Sequence, residues 1–223
     1  GAISFSLAGL VGRMPAAMTG LGIVLLVEQE TDSYSQAGLV AALYILTAAV
    51  AAPLQGRLAD QWGQRLVLLA ASTLYSVGVA AIILQAGSSL GLTMAAAVLA
   101  GTGAPQTGNM VRTRWTHSIS DRQLLSTAFA WEAILDEVVF IIGPVLVTFL
   151  TLNVHSSLGL LSAAASALIG GWGLAFQQST APRPIRESRQ TKEPLALVPL
   201  GALVVSALGV GFVFGASEVL IVA

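Results

Sequence analysis

The sequence predicts an all-α, polytopic membrane protein, and three observations predict it. Only 9% of the 223 residues are charged and 55% are hydrophobic, with a mean hydropathy of +0.82. A soluble domain carries about 25% charged residues. The apolar residues gather into runs of roughly 20, the length a helix needs to cross a bilayer. The basic residues, Arg13 excepted, fall in alternate connections between those runs, as they do when one side of a membrane collects positive charge.

Seven spans follow in order. The first runs from about Ile3 to Val27 and is interrupted by Arg13. The second covers about Gln36–Leu54 and the third about Leu66–Ala86. The fourth, about Leu90–Val111, carries the run GTGAPQTGN. The fifth, about Leu125–Leu150, holds three acids, and the sixth is about Leu158–Phe176. A connector rich in proline and charge, residues 177–194, separates these six from a seventh span that starts near Leu195. The predicted domains are therefore a six-helix bundle over 1–176, a linker over 177–194, and the start of a second bundle over 195–223. The chain opens on Gly1 and stops inside an apolar run, so both ends read as cut and a C-terminal half of the same chain is expected as a partner.

Charge sets the topology. The first connection holds Glu28, Glu30 and Asp32 and no base; the second holds Arg57 and Arg65. The third is uncharged, the fourth holds Arg112, Arg114 and Arg122, and the fifth is again uncharged. The sixth holds Arg183, Arg186, Arg189 and Lys192. The even-numbered loops and the N-terminus are expected to be cytoplasmic. The bases are arginine apart from Lys192, and Ala and Gly are abundant, which points to a GC-rich bacterial source and an inner-membrane location.

Several function classes are excluded or disfavoured. Net charge is −1, so no basic field for nucleic acid exists. Without cysteine there is no disulfide, thiolate metal site or redox thiol. No phosphate-loop, zinc-protease or nucleophile-elbow motif appears, so the chain reads as no enzyme and as needing no cofactor beyond a coupling proton or other ion. His117 and His155 are placed in loops as solvated side chains. A retinal protein needs a Schiff-base lysine in its last helix, and Lys192 precedes that span.

The stretch GRLADQWGQRL between the second and third spans carries charge where the rest of the chain avoids it. Gly56 and Gly63 are expected to supply tight turns, with Asp60 capping the next helix or pairing with Arg65. Its pattern, on Gly56, Leu58, Ala59, Asp60, Gly63, Arg65 and Leu68, resembles the loop signature of the major facilitator superfamily. The resemblance covers essentially the whole chain. It implies a six-helix half built as a 3+3 inverted repeat, followed by a seventh helix, in a secondary transporter of small organic molecules. It also implies that Gly56, Asp60, Gly63 and Arg65 form a conformational latch against the other half. Gln61 and Gln64 stand where the family often has bases. Gly101 and Gly103 match the family's fourth-span glycines, while Ala97 and Ala100 replace its arginine and glutamine. Gly143 and Pro144 match the fifth-span antiporter motif, whose later glycines are replaced in VLVTF. Proton-coupled efflux is the leading reading; uptake, facilitated diffusion or a non-transporting receptor or partner protein are the alternatives.

Charges inside spans mark candidate sites, because an ionised group at mid-bilayer costs about 2.5–3.5 kcal/mol. Arg13 lies near the middle of span one. Glu132 and Asp136 are four apart and share a face of span five, while Glu137 is turned about 100° away. Arg13 is expected to pair with Asp136 or Glu137, either as a proton-coupling device or as a static packing pair. Pro105 is expected to kink span four, with Gly101, Gly103, Gly143 and Pro144 as further flexible points. Gln106 and Asn109 can then offer amides to a substrate, or the small residues serve close packing alone. Glu218, late in span seven, lies at a cavity mouth or at the interface. Trp62, Trp115, Trp131 and Trp172 read as interfacial anchors.

Overall fold

The computed structural model describes residues 2–184. Glu218, Lys192, the seventh span and most of the 177–194 connector lie outside the described residues.

The described residues form seven α-helices and one short 3-10 turn. α1 (Ala2–Thr31), α2 (Tyr34–Trp62), α3 (Gln64–Gln85), α6 (Arg122–Asn153) and α7 (Leu158–Phe176) are each long and apolar enough to cross a membrane. The fourth predicted span is two shorter helices, α4 (Leu90–Gly103) and α5 (Thr107–Ser118). Pro105 explains the break: it has no N–H to donate and disfavours helix at the residue before it. The break is deeper than the expected kink, since Ala104–Gln106 leave helical geometry altogether.

Packing follows the repeat. α1 lies against α7 and α6, and α4 lies correspondingly against α3 and α2. Exchanging the first three spans with the second three maps one set of pairs on the other, as two nested repeats require. Small residues bring the axes close. A side chain on Gly170 would strike the backbone of Gly12, and one on Gly78 the backbone of Ala100. Between membrane helices the driving force is such packing rather than apolar burial against water. The principal core joins Ile23, Tyr44, Tyr75, Ile82 and Leu160. α2 and α6 bury the least of their length and turn large apolar side chains outward, among them Leu46, Val50, Phe140 and Ile141.

Two expectations need correction here. Gly56 makes no turn: α2 runs through it to Trp62, and the chain reverses at Gly63 alone, with φ +89°. Most of the charged stretch is therefore helix that continues past the apolar span. Gly101, Gly103 and Gly143 are packing positions. A Cβ on Gly101 would strike Thr47 and the Tyr44 carbonyl, one on Gly103 the backbone of Tyr75, and one on Gly143 Ala17. α6 continues unbroken through Gly143 and Pro144.

Candidate functional site: a buried ion-pair cluster beside a broken helix

Arg13 stands about 16 Å along α1 at 1.5 Å per residue. Its side chain is 6% exposed and reaches α6, where it donates to Glu132 Oε2 and, at 3.0 Å, to Asp136 Oδ1. Asp136 Oδ2 accepts from Arg112 of α5 at 2.7 Å. Three helices are thus joined by alternating charges. Glu132 is fully enclosed, and two more donors serve its Oε1: the Ser6 hydroxyl and the Trp115 indole N–H, both at 2.7 Å. Trp131 N–H donates to Ser6 Oγ at 3.1 Å. Both oxygens of this buried carboxylate are thus engaged, one by Arg13 and the other by two neutral donors.

The local folding that achieves this is simple. Helical spacing puts Glu132 and Asp136 one turn apart on α6. On α5, Gly108, Arg112 and Trp115 share the face toward them, while Thr107, Met110, Val111 and Arg114 form the buried face. Asp121 starts α6 by accepting the amides of Gln123 and Leu124 at 2.8 and 2.9 Å.

Of the predicted site residues, Arg13, Glu132 and Asp136 come together. Glu137 does not join them; it is exposed on the outward side of α6. The second partner of Arg13 is Glu132, because the i, i+4 pair shares the face that meets α1. Arg112, Trp115 and Trp131 enter the cluster although the sequence placed Arg112 in a loop and both tryptophans at an interface.

The break between α4 and α5 adjoins the cluster. Gln106 donates to the Ala104 carbonyl at 3.3 Å, and Asn109 Nδ2 donates to Gln106 Oε1 at 3.3 Å. Gln55 of α2 reaches across and donates to the carbonyls of Thr102 and Ala104, both at 3.0 Å, which the break leaves without helical partners. Two cavities meet at Gln106 and Asn109. The larger, about 700 Å³, opens past Asp60, Gln64, His117 and Arg183. The smaller, about 250 Å³, is lined by Arg13, Thr107, Gly108, Arg112 and Asp136.

Asp60 and Arg65 are exposed and form no ion pair among the described residues. Asp60 does not cap α3, whose cap position is Gly63 and which has no side-chain cap. Arg65 lies over the Phe176 ring, 5.6 Å from its centroid. Arg114, fully buried, was also assigned to a loop. It donates to Gln64 Oε1 (2.8 Å), the carbonyls of Leu174 (2.9 Å) and Gln177 (2.7 Å), and Thr180 Oγ1 (3.1 Å). It closes the C-terminal end of α7, where bare carbonyls favour a cation.

His117 lies in the last turn of α5 rather than in a loop, and His155 bonds Ser157 at 2.9 Å. Among the described residues no group of His and acid side chains could hold a metal. The model of the family described as Major Facilitator Superfamily matches residues 5–223. No curated protein matches the chain.

Proposed function

The chain belongs to the major facilitator superfamily of membrane transporters, and on that premise we propose that it moves small organic molecules outward across a cell membrane in exchange for protons, by alternating access. The observation that carries this reading is the Arg13–Glu132–Asp136–Arg112 cluster. It links α1, from the first repeat, to α5 and α6, from the second, and it borders a cavity at a broken helix. Asp136 is the proton carrier in this reading, because its side chain is 30% exposed on that cavity while Glu132 is closed off. Protonating Asp136 removes the charge that Arg13 and Arg112 share. That loosens α5 from α1 and α6 and favours a change of access. Glu132 keeps Arg13 anchored throughout. The α2–α3 turn is cytoplasmic in this reading, and Asp60 and Arg65, both exposed there, latch a second bundle across it.

Reconstitution into liposomes with an imposed pH gradient and an internal pH dye tests the reading. A screen of small organic molecules is expected to find some that dissipate the gradient. Asp136→Asn is expected to abolish that coupled proton movement. The reading fails if Glu132→Gln, Asp136→Asn and Glu137→Gln together leave pH-dependent flux unchanged.

A further inference from the structure

The smaller cavity has walls with more donor capacity than the described residues use. α5 starts afresh inside the bundle, and the first amides of a helix have no partner within it. In α5 the Met110 N–H meets the Gln106 carbonyl at 3.2 Å, which leaves the amides of Thr107, Gly108 and Asn109 at the open end. Gln106 occupies the cap position but its side chain does not cap. The helix end also carries partial positive charge.

Two buried side-chain groups add to it. Thr107 is 1% exposed and its hydroxyl has no partner. Arg13 engages both terminal nitrogens, yet its Nε is enclosed and unpaired. Gly108 lets the guanidinium lie along the first turn of α5: a Cβ there would stand 3.2 Å from Nε. Buried donors are nearly always satisfied, and the two residues that carry these border one space. The guanidinium groups of Arg13 and Arg112 and the carboxylate of Asp136 face it, while Glu132, off its wall, pairs with Arg13 from behind, so the ion cluster as a whole is neutral. Ala16, Val139 and Phe140 add apolar surface to its wall.

We infer that this cavity is a subsite for a carboxylate borne by a small organic substrate, held by the Thr107 hydroxyl, Arg13 Nε and the first amides of α5. The positive end of α5 and the unpaired donors favour an anionic acceptor, and the apolar residues of the wall take the hydrocarbon part. The assignment rests on the transporter reading for its biological sense. It is tested by binding alone.

The test titrates the purified protein in detergent with benzoate and with the neutral isostere benzamide, reading the shift in thermal unfolding midpoint. Benzoate is expected to stabilise and benzamide not to. Thr107→Val removes only the hydroxyl and is expected to weaken benzoate roughly ten-fold or more; Gly108→Ala crowds Arg13 Nε, 3.2 Å from the added Cβ, and is expected to weaken it too. Should one variant fail to fold, the other carries the comparison. Equal responses to the two probes, including none to either, overturn the assignment. So does a benzoate response undiminished in the variants. Loss of the subsite with pH-dependent flux still sensitive to Asp136→Asn would leave the transporter reading standing; loss of that sensitivity with benzoate selectivity intact would do the reverse.

Discussion

Replacing Arg13 by alanine is the perturbation with the largest expected cost. Glu132 is fully enclosed, and Arg13 is its only charged partner among the described residues. Without it the carboxylate keeps two neutral donors, Ser6 and Trp115. Breaking a buried pair from one side costs about 3–5 kcal/mol, because a charge is left uncompensated. Arg112→Ala provides the contrast. Its side chain is 46% exposed and Asp136 keeps Arg13, so the cost should be about 0–1 kcal/mol. Removing both charges of the inner pair, as Arg13→Met with Glu132→Gln, should recover much of the loss, since a pair replaced together is often near neutral. The assay is denaturant unfolding in micelles followed by helical circular dichroism, run as a double-mutant cycle. The reasoning is refuted if Arg13→Ala costs no more than Arg112→Ala. It is equally refuted if the double variant is as unstable as the sum of the singles.

Other outcomes follow from the same contacts. Gln55→Leu strips the donors from the Thr102 and Ala104 carbonyls; about 1–3 kcal/mol of stability should go, with faster amide exchange along α4. Arg114→Lys cannot reproduce a fork that reaches four acceptors; limited proteolysis should cut sooner in residues 177–181. Gly103→Ala would drive a methyl into the Tyr75 backbone. Neither α3 nor α4 can yield cheaply, so at least about 1–3 kcal/mol is expected, read as a lower yield of monodisperse protein.

Much of the fold was legible because the bilayer reads composition directly. Five spans are set by apolar length, and the fourth by the same run with a proline in it. Hydropathy ends a span where polarity begins, yet a helix does not stop there. α2 carries Gly56, Arg57 and Asp60 on continued helix, since one glycine costs only about 1 kcal/mol relative to alanine. For the same reason Arg112 and Arg114 sit on α5 rather than in a loop. The signal that places them was available. Once Pro105 restarts the helix, 108, 112 and 115 fall on one face and 107, 111 and 114 on the next. Arg13 with Asp136 could be read from matching depth. Preferring Glu132 over Glu137 required knowing which face of α6 meets α1, and that is a property of packing. Gln55 gave no signal, because its partners are carbonyls exposed by a break in another helix.

Cysteine accessibility at Asn109 is the most direct test of the central claim, that the cluster governs alternating access. The sequence has no cysteine, so Asn109→Cys introduces a single thiol where the two cavities meet. Membrane-impermeant maleimide is applied to one face or the other across a range of pH. The account predicts labelling from both faces, with a ratio that changes with pH and ceases to change in Asp136→Asn. Labelling from one face alone at every pH, or a pH response that survives Asp136→Asn, would contradict it.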